Sequence, residues 1–130
     1  MYSHVTVGSS DLERSRIFYD AIMEVLELPF AWEIEAEAFA YGKPMDTQFV
    51  INVPYDRQPP HRGNGWHCAF MAKDRDAVDA FFRAALTHGG TSEGSPGLRP
   101  HYHRDYYAAY VRDPDGNKLQ AVCHRPPERS

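Results

Sequence analysis

Two stretches of this chain, HVTVGSSDLERSRIFYDA and HCAFMAKDRDAVDAFFRA, lie on one another without a gap at a shift of 63 residues. His4 falls on His67, Asp11 on Asp74, Phe18 on Phe81, Tyr19 on Phe82 and Ala21 on Ala84. One such match is weak, but all of them in a single register imply an internal duplication. Each stretch opens with alternating polar and apolar residues, as a half-buried strand does. In the first copy Ser10 and Glu13 have the spacing of a capping box, with Ser10 as the N-cap. Ile17, Phe18, Ala21, Ile22, Val25 and Leu26 then recur at helical spacing. Each half therefore begins strand, then helix.

The later parts of the halves correspond at a larger shift. Phe39 to Gly42 resembles Tyr107 to Tyr110 at a shift of 68, which places Asn52 on Gln120. On that register the second half has gained five residues (68 − 63), assigned to the irregular segment SEGSPGLRPHYHRD. Strands are expected near Phe30–Glu35, Ala38–Tyr41 and Thr47–Val53. Their counterparts are a faint one at Thr91–Ser92, then Tyr106–Arg112 and Lys118–Cys123. Asp115-Gly116 is a hairpin signal ahead of the last of these. The expectation is one α+β domain over residues 1–125, built of two βαβββ modules, 1–53 and 66–124. A linker at 54–65, rich in Pro and Gly, joins them, and 125–130 is a tail. The modules form a cupped mixed sheet with the helices outside.

A chain of 130 residues is long enough for one real core. The net charge of −4 and the lack of a basic cluster exclude a nucleic-acid surface. No apolar run reaches membrane-spanning length, and the start lacks a signal peptide's apolar region. Cys68 and Cys123 read as two buried thiols in a reducing compartment, so the expected location is cytoplasmic.

Alternation also sets side-chain direction. Val5, Val7, Cys68, Phe70, Phe49, Ile51, Leu119 and Ala121 pack under the helices. His4, Asn52, His67 and Gln120 then lie on the opposite face, where they can converge in a trough. Such a polar set is either a metal site or the hydrogen-bonded floor of a ligand cavity.

The duplication, the strand-borne His4 and His67 and the DPDGN turn resemble the vicinal oxygen chelate superfamily. This is the glyoxalase, bleomycin-resistance and extradiol-dioxygenase group. The resemblance covers Tyr2 to about His124. It implies two βαβββ modules cupped together and metal ligands on the first and last strands of each. The matching metal set here is His4, His67 and Gln120, with zinc, nickel, manganese or iron as the ion. Gln120 stands where the family's usual ligand is a glutamate, and Asn52 stands where the first module would carry a carboxylate. The resemblance also implies a homodimer.

An amide cannot serve as the base that a hemithioacetal isomerisation needs. Other candidates crowd into GLRPHYHRDYY. Tyr107 and His103 are the expected catalytic pair. Arg99, His101, Asn52 and Trp32 are expected to touch substrate, with Arg99 and His101 suited to an anionic or phenolic group. Two functions stand side by side. One is a lyase- or isomerase-like enzyme that acts on a small oxygenated metabolite through a weak divalent-metal site. The other is a metal-free module that sequesters a small molecule.

Overall fold

A computed structural model of the protein describes residues 1–127, so residues 128–130 of the expected tail lie outside the described residues. The first half runs β1 (His4–Gly8), α1 (Leu12–Val25), β2 (Phe30–Ile34), β3 (Ala38–Tyr41) and β4 (Gln48–Asn52). The second runs β5 (Cys68–Met71), α2 (Arg75–Thr87), β6 (Thr91–Leu98), β7 (Tyr107–Arg112) and β8 (Lys118–Cys123). Two four-stranded mixed sheets result, in the orders β1-β4-β3-β2 and β5-β8-β7-β6. In each, the first strand runs parallel to the last and the other pairs are antiparallel. The expected α+β fold of two βαβββ units is the observed one.

The helices share one core. Phe18 and Phe81 are both fully buried in it, together with Ile22, Val78, Ile51, Leu119 and Ala121. α1 packs against α2, and both cover the apolar faces of the sheets. Gly90, just before β6, lets α1 come close: a Cβ there would stand 2.7 Å from Phe18.

Four expectations of the sequence are corrected. The N-cap of α1 is Asp11, not Ser10; its carboxylate accepts the Arg14 N–H at 3.1 Å. Asp74 caps α2 in the same way at Ala77, so the duplicated pair Asp11/Asp74 is a pair of caps. Ser10 is occupied elsewhere, bonding Asp115 through both its backbone N–H and its hydroxyl. Ile17 is 61% exposed, because the buried stripe of α1 is Phe18, Tyr19, Ile22 and Met23. β6 runs on to Leu98, through Gly94, Pro96 and Gly97. It is an edge strand with two register breaks, and an edge tolerates the proline's missing donor.

The fourth correction concerns the repeat. Val7 pairs with Ile51, and its counterpart Phe70 pairs with Ala121, so β4 matches β8 at a shift of 70 (121 − 51). The second half has gained seven residues (70 − 63), and Gln120 matches Val50 rather than Asn52. A slip of two leaves every side chain on its face, which is why alternation alone did not reveal it.

The DPDGN turn joins β7 to β8 and also ties the halves together. The Tyr19 hydroxyl on α1 donates to Asp113 at 2.5 Å, and the Asn117 amide donates to the Gly8 carbonyl at 3.0 Å. Asp113 accepts further from the backbone N–H groups of Asp115 and Asn117. Burial pushes its carboxyl above the ordinary range, against the pull of these hydrogen bonds. Gly116 holds the positive φ of 92° that the turn needs.

Candidate functional site

β1 and β5 are edge strands of their sheets, and a cavity of about 800 Å3 lies where they come near each other. His4 and His67 both line it. The rest of the wall is mostly apolar, with Val5, Leu28, Tyr41, Phe49, Trp66, Cys68, Phe70 and Met71. Burial pushes the Cys68 thiol up to about 11, so it faces the cavity as a neutral group. His4 is anchored through Nδ1 by the Ser3 hydroxyl at 2.9 Å.

A second, smaller cleft of about 270 Å3 shares His67 with this cavity. Its walls are His67, Glu93, Arg99, His101, Tyr102, Tyr110 and Lys118. The Tyr110 ring meets His67 edge-on at 6.2 Å between centroids. Arg99 and Lys118 approach the same ring, at 5.6 and 5.4 Å from its centroid. Glu93 is tied to Arg112 by a hydrogen-bonded ion pair, which holds its carboxyl below the usual range.

Gln120 faces away from the helices, beside Ala69 of β5 and Tyr110 of β7. It is 1% exposed. Its amide nitrogen donates to the Tyr106 hydroxyl, and its Oε1 is buried with no partner among the described residues. Burial, then the neighbouring Tyr106 hydroxyl, pushes the Tyr110 phenol up to about 12. His4, which opens β1, and His67, just ahead of β5, thus share a cavity, while Gln120 bonds Tyr106 and is not among that cavity's walls.

The other expected residues separate. Tyr107 begins β7 beside β8, as anticipated, but on the helix side: its hydroxyl donates to Asp79 of α2 at 2.6 Å. His103 and His101 diverge, because residues 99–106 form turns rather than a strand. His101 stacks by Tyr102 in the small cleft, whereas His103 Nε2 lies 2.9 Å from His124 Nδ1. Arg99 is in the small cleft. Asn52 is in a separate groove with Thr6, Gly8, Pro60 and His61. Trp32 is 37% exposed and donates its indole N–H to Gln48 at 2.9 Å. Tyr106 was one of the crowded candidates but given no role, and Tyr110, Lys118 and Glu93 were not singled out as site residues. Lys118 could have been, since it precedes Gln120 by two and shares its face.

The donors present do not fit the carboxylate-bearing metal set of the resemblance. Among the described residues no Asp or Glu lines the cavity of His4 and His67. Among the described residues no three His, Cys, Asp or Glu side chains are grouped to hold an ion.

Paired βαβββ modules, packed through α1 and α2 with a cavity between the edge strands β1 and β5, define a glyoxalase-like protein. The model of the Glyoxalase/Bleomycin resistance protein/Dioxygenase superfamily matches residues 2–121, and the chain belongs to that family. Among solved structures it is similar to a glyoxalase/bleomycin resistance protein from Albidiferax ferrireducens T118. The two are 40% identical over 97% of this chain and 99% of that one, with a TM-score of 0.86. A family enzyme from Burkholderia phytofirmans PsJN is 17% identical over 95% and 98% of the two chains, with a TM-score of 0.73. A lactoylglutathione lyase from Agrobacterium tumefaciens is 19% identical over 95% and 92%, with a TM-score of 0.63. The likeness to these last two is one of fold. No curated protein matches the chain. No described helix is long and apolar enough to cross a membrane.

Proposed function

We propose that this protein binds a small oxygenated molecule in the seam cavity without a tightly held metal, as a sequestering module. The observation that carries the reading is the cavity wall: two imidazoles on a mainly apolar surface with no carboxylate. An apolar pocket with a few placed polar groups suits a small organic ligand. Bare imidazoles leave most of a divalent ion's charge uncompensated. The test is titration of small phenols and catechols into chelator-treated protein, read by the fluorescence of Trp66. Binding that survives chelation supports the reading. Binding that appears only after zinc, nickel, manganese or iron is added sinks it.

The two imidazoles on one wall also favour a second reading, a weak divalent site on His4 and His67 that Gln120 would have to leave Tyr106 to join, serving a lyase- or isomerase-like reaction. In that case His103, paired with His124, is the candidate base, and Tyr107 drops out because its hydroxyl is spent on Asp79. Gln120→Glu should then raise zinc affinity about tenfold, the equivalent of about 1.4 kcal/mol. Calorimetry that gives equal affinities for wild type and variant would remove Gln120 from the ion.

We further propose a homodimer in a reducing, cytoplasmic setting. The exposed Phe30, Trp32 and Ile34 on the edge strand β2 support association. Light scattering that shows a monomer at tens of micromolar contradicts it.

A further inference from the structure

We infer that the ligand is an amphipathic carboxylate, with its apolar body in the seam cavity and its anionic head between Arg99 and Lys118. The inference rests on the binding reading above and adds the chemical class of the ligand. The two cavities meet at His67, the one residue that lines both. They differ sharply in character: the larger is walled by Trp66, Phe49 and Phe70, the smaller by cations and phenols.

The cations of the small cleft are set for an anion. Among the described residues the one carboxylate on that wall is Glu93, which is bonded to Arg112 and also feels the charge of Lys118. Among the described residues neither Arg99 nor Lys118 is in an ion pair. Both charges instead lie near one ring, Tyr110, at 5.6 and 5.4 Å from its centroid. An anion held beside that ring is attracted by each of them. Arg99 is also fixed in advance, since its two terminal nitrogens donate to the carbonyls of Gly97 and Ser95 at 2.8 and 2.9 Å. A guanidinium has five N–H groups, so donors remain for a ligand, and the ordering cost is already met by the fold. Glu93 on the same wall favours a singly charged head over a doubly charged one. The apolar seam, conversely, cannot take an unpaired charge. A ligand that fills both spaces therefore carries its charge at one end.

The experiment is calorimetric titration of the full chain with benzoate, phenylacetate and phenylbutyrate, and with the amide of each. At least one acid should bind about tenfold or more tightly than its own amide. In Lys118→Gln, and further in Arg99→Gln/Lys118→Gln, that preference should shrink toward unity. Lys118→Gln guards against a folding defect, because Arg99 also braces residues 95–97. Acid and amide binding equally to wild type overturns the carboxylate and leaves the binding reading intact. A preference that survives in both variants places the head elsewhere and also overturns it. If no acid and no amide binds, both readings fall.

Discussion

The helix-side faces of the two sheets are near copies, and their open faces are not. On the helix side Phe18 and Phe81 occupy equivalent buried places, and Asp11 and Asp74 cap their helices alike. The open face of the first sheet is floored by Ala38, Ala40 and Val50, with Ala31 against them. The open face of the second carries Gln120, Tyr110 and Lys118. The difference traces to one hairpin. β2 and β3 are joined by the short turn at 35–37, whereas β6 and β7 are joined by residues 99–106. That longer connection brings Tyr106 to Gln120, His103 to His124 and Arg99 to Tyr110. A duplicated frame keeps the core that both copies need, and a single connection turns one open face into a site.

The comparison can be broken first at its likeness. Phe18→Ala and Phe81→Ala should each cost about 3–5 kcal/mol in urea unfolding, the range for emptying a buried phenylalanine site. If one costs far less than the other, the two halves are not equivalent. Next, Asp113→Ala should cost about 3 kcal/mol, because it strands the Tyr19 hydroxyl and the backbone N–H of Asn117, each at about 1–3 kcal/mol. An unchanged thermal midpoint would deny the turn its part in joining the halves.

The unlike faces give two smaller effects. Tyr106→Phe removes the partner of the buried Gln120 amide and should cost about 1–2 kcal/mol. Adding Gln120→Val, the residue type that the first module has at the matching place, should restore most of it, since an apolar pair leaves nothing unsatisfied. A double variant less stable than the single one would contradict that. The last effect is a pH slope. Burial raises the folded pKa of Asp113, so its contribution is fully present below the unfolded value of about 3.9 and is lost as pH rises through the folded one. Wild type measured against Asp113→Asn should therefore lose relative stability with rising pH across that window. A flat difference contradicts the shift.

Much of the frame was legible in the chain because the first halves of the modules align without a gap, and strand alternation then gives each face. What was misread has physical causes. Asn52 was matched to Gln120 because FVINV and KLQAV look alike locally, and an error of two residues is invisible to a period of two. β6 was cut short because glycine and proline mark turns in most settings but are tolerated on a bulged edge. The site was half legible. Alternation put His4 and His67 on the open face with Asn52 and Gln120, whereas the cavity they line also takes in Val5, Phe49, Cys68 and Phe70, and Tyr107 was preferred to Tyr106. In a turn segment no periodicity tells which neighbour points inward. Arg99 stood out by its charge, whereas its partner Lys118 read as an ordinary strand residue.

The DPDGN turn has a consequence for how the chain reaches this state. Its bonds to Gly8, Ser10, Arg14 and Tyr19 join residues 94 to 109 positions apart. Contacts of such separation form only after a long loop has closed, and topologies rich in them fold slowly. Each βαβββ unit can gather its own strands early, but the start of α1 keeps its partners waiting until the last hairpin has formed. Docking of the two halves is therefore expected as a late step on the folding pathway, and on a ribosome it must wait for almost the whole chain to emerge.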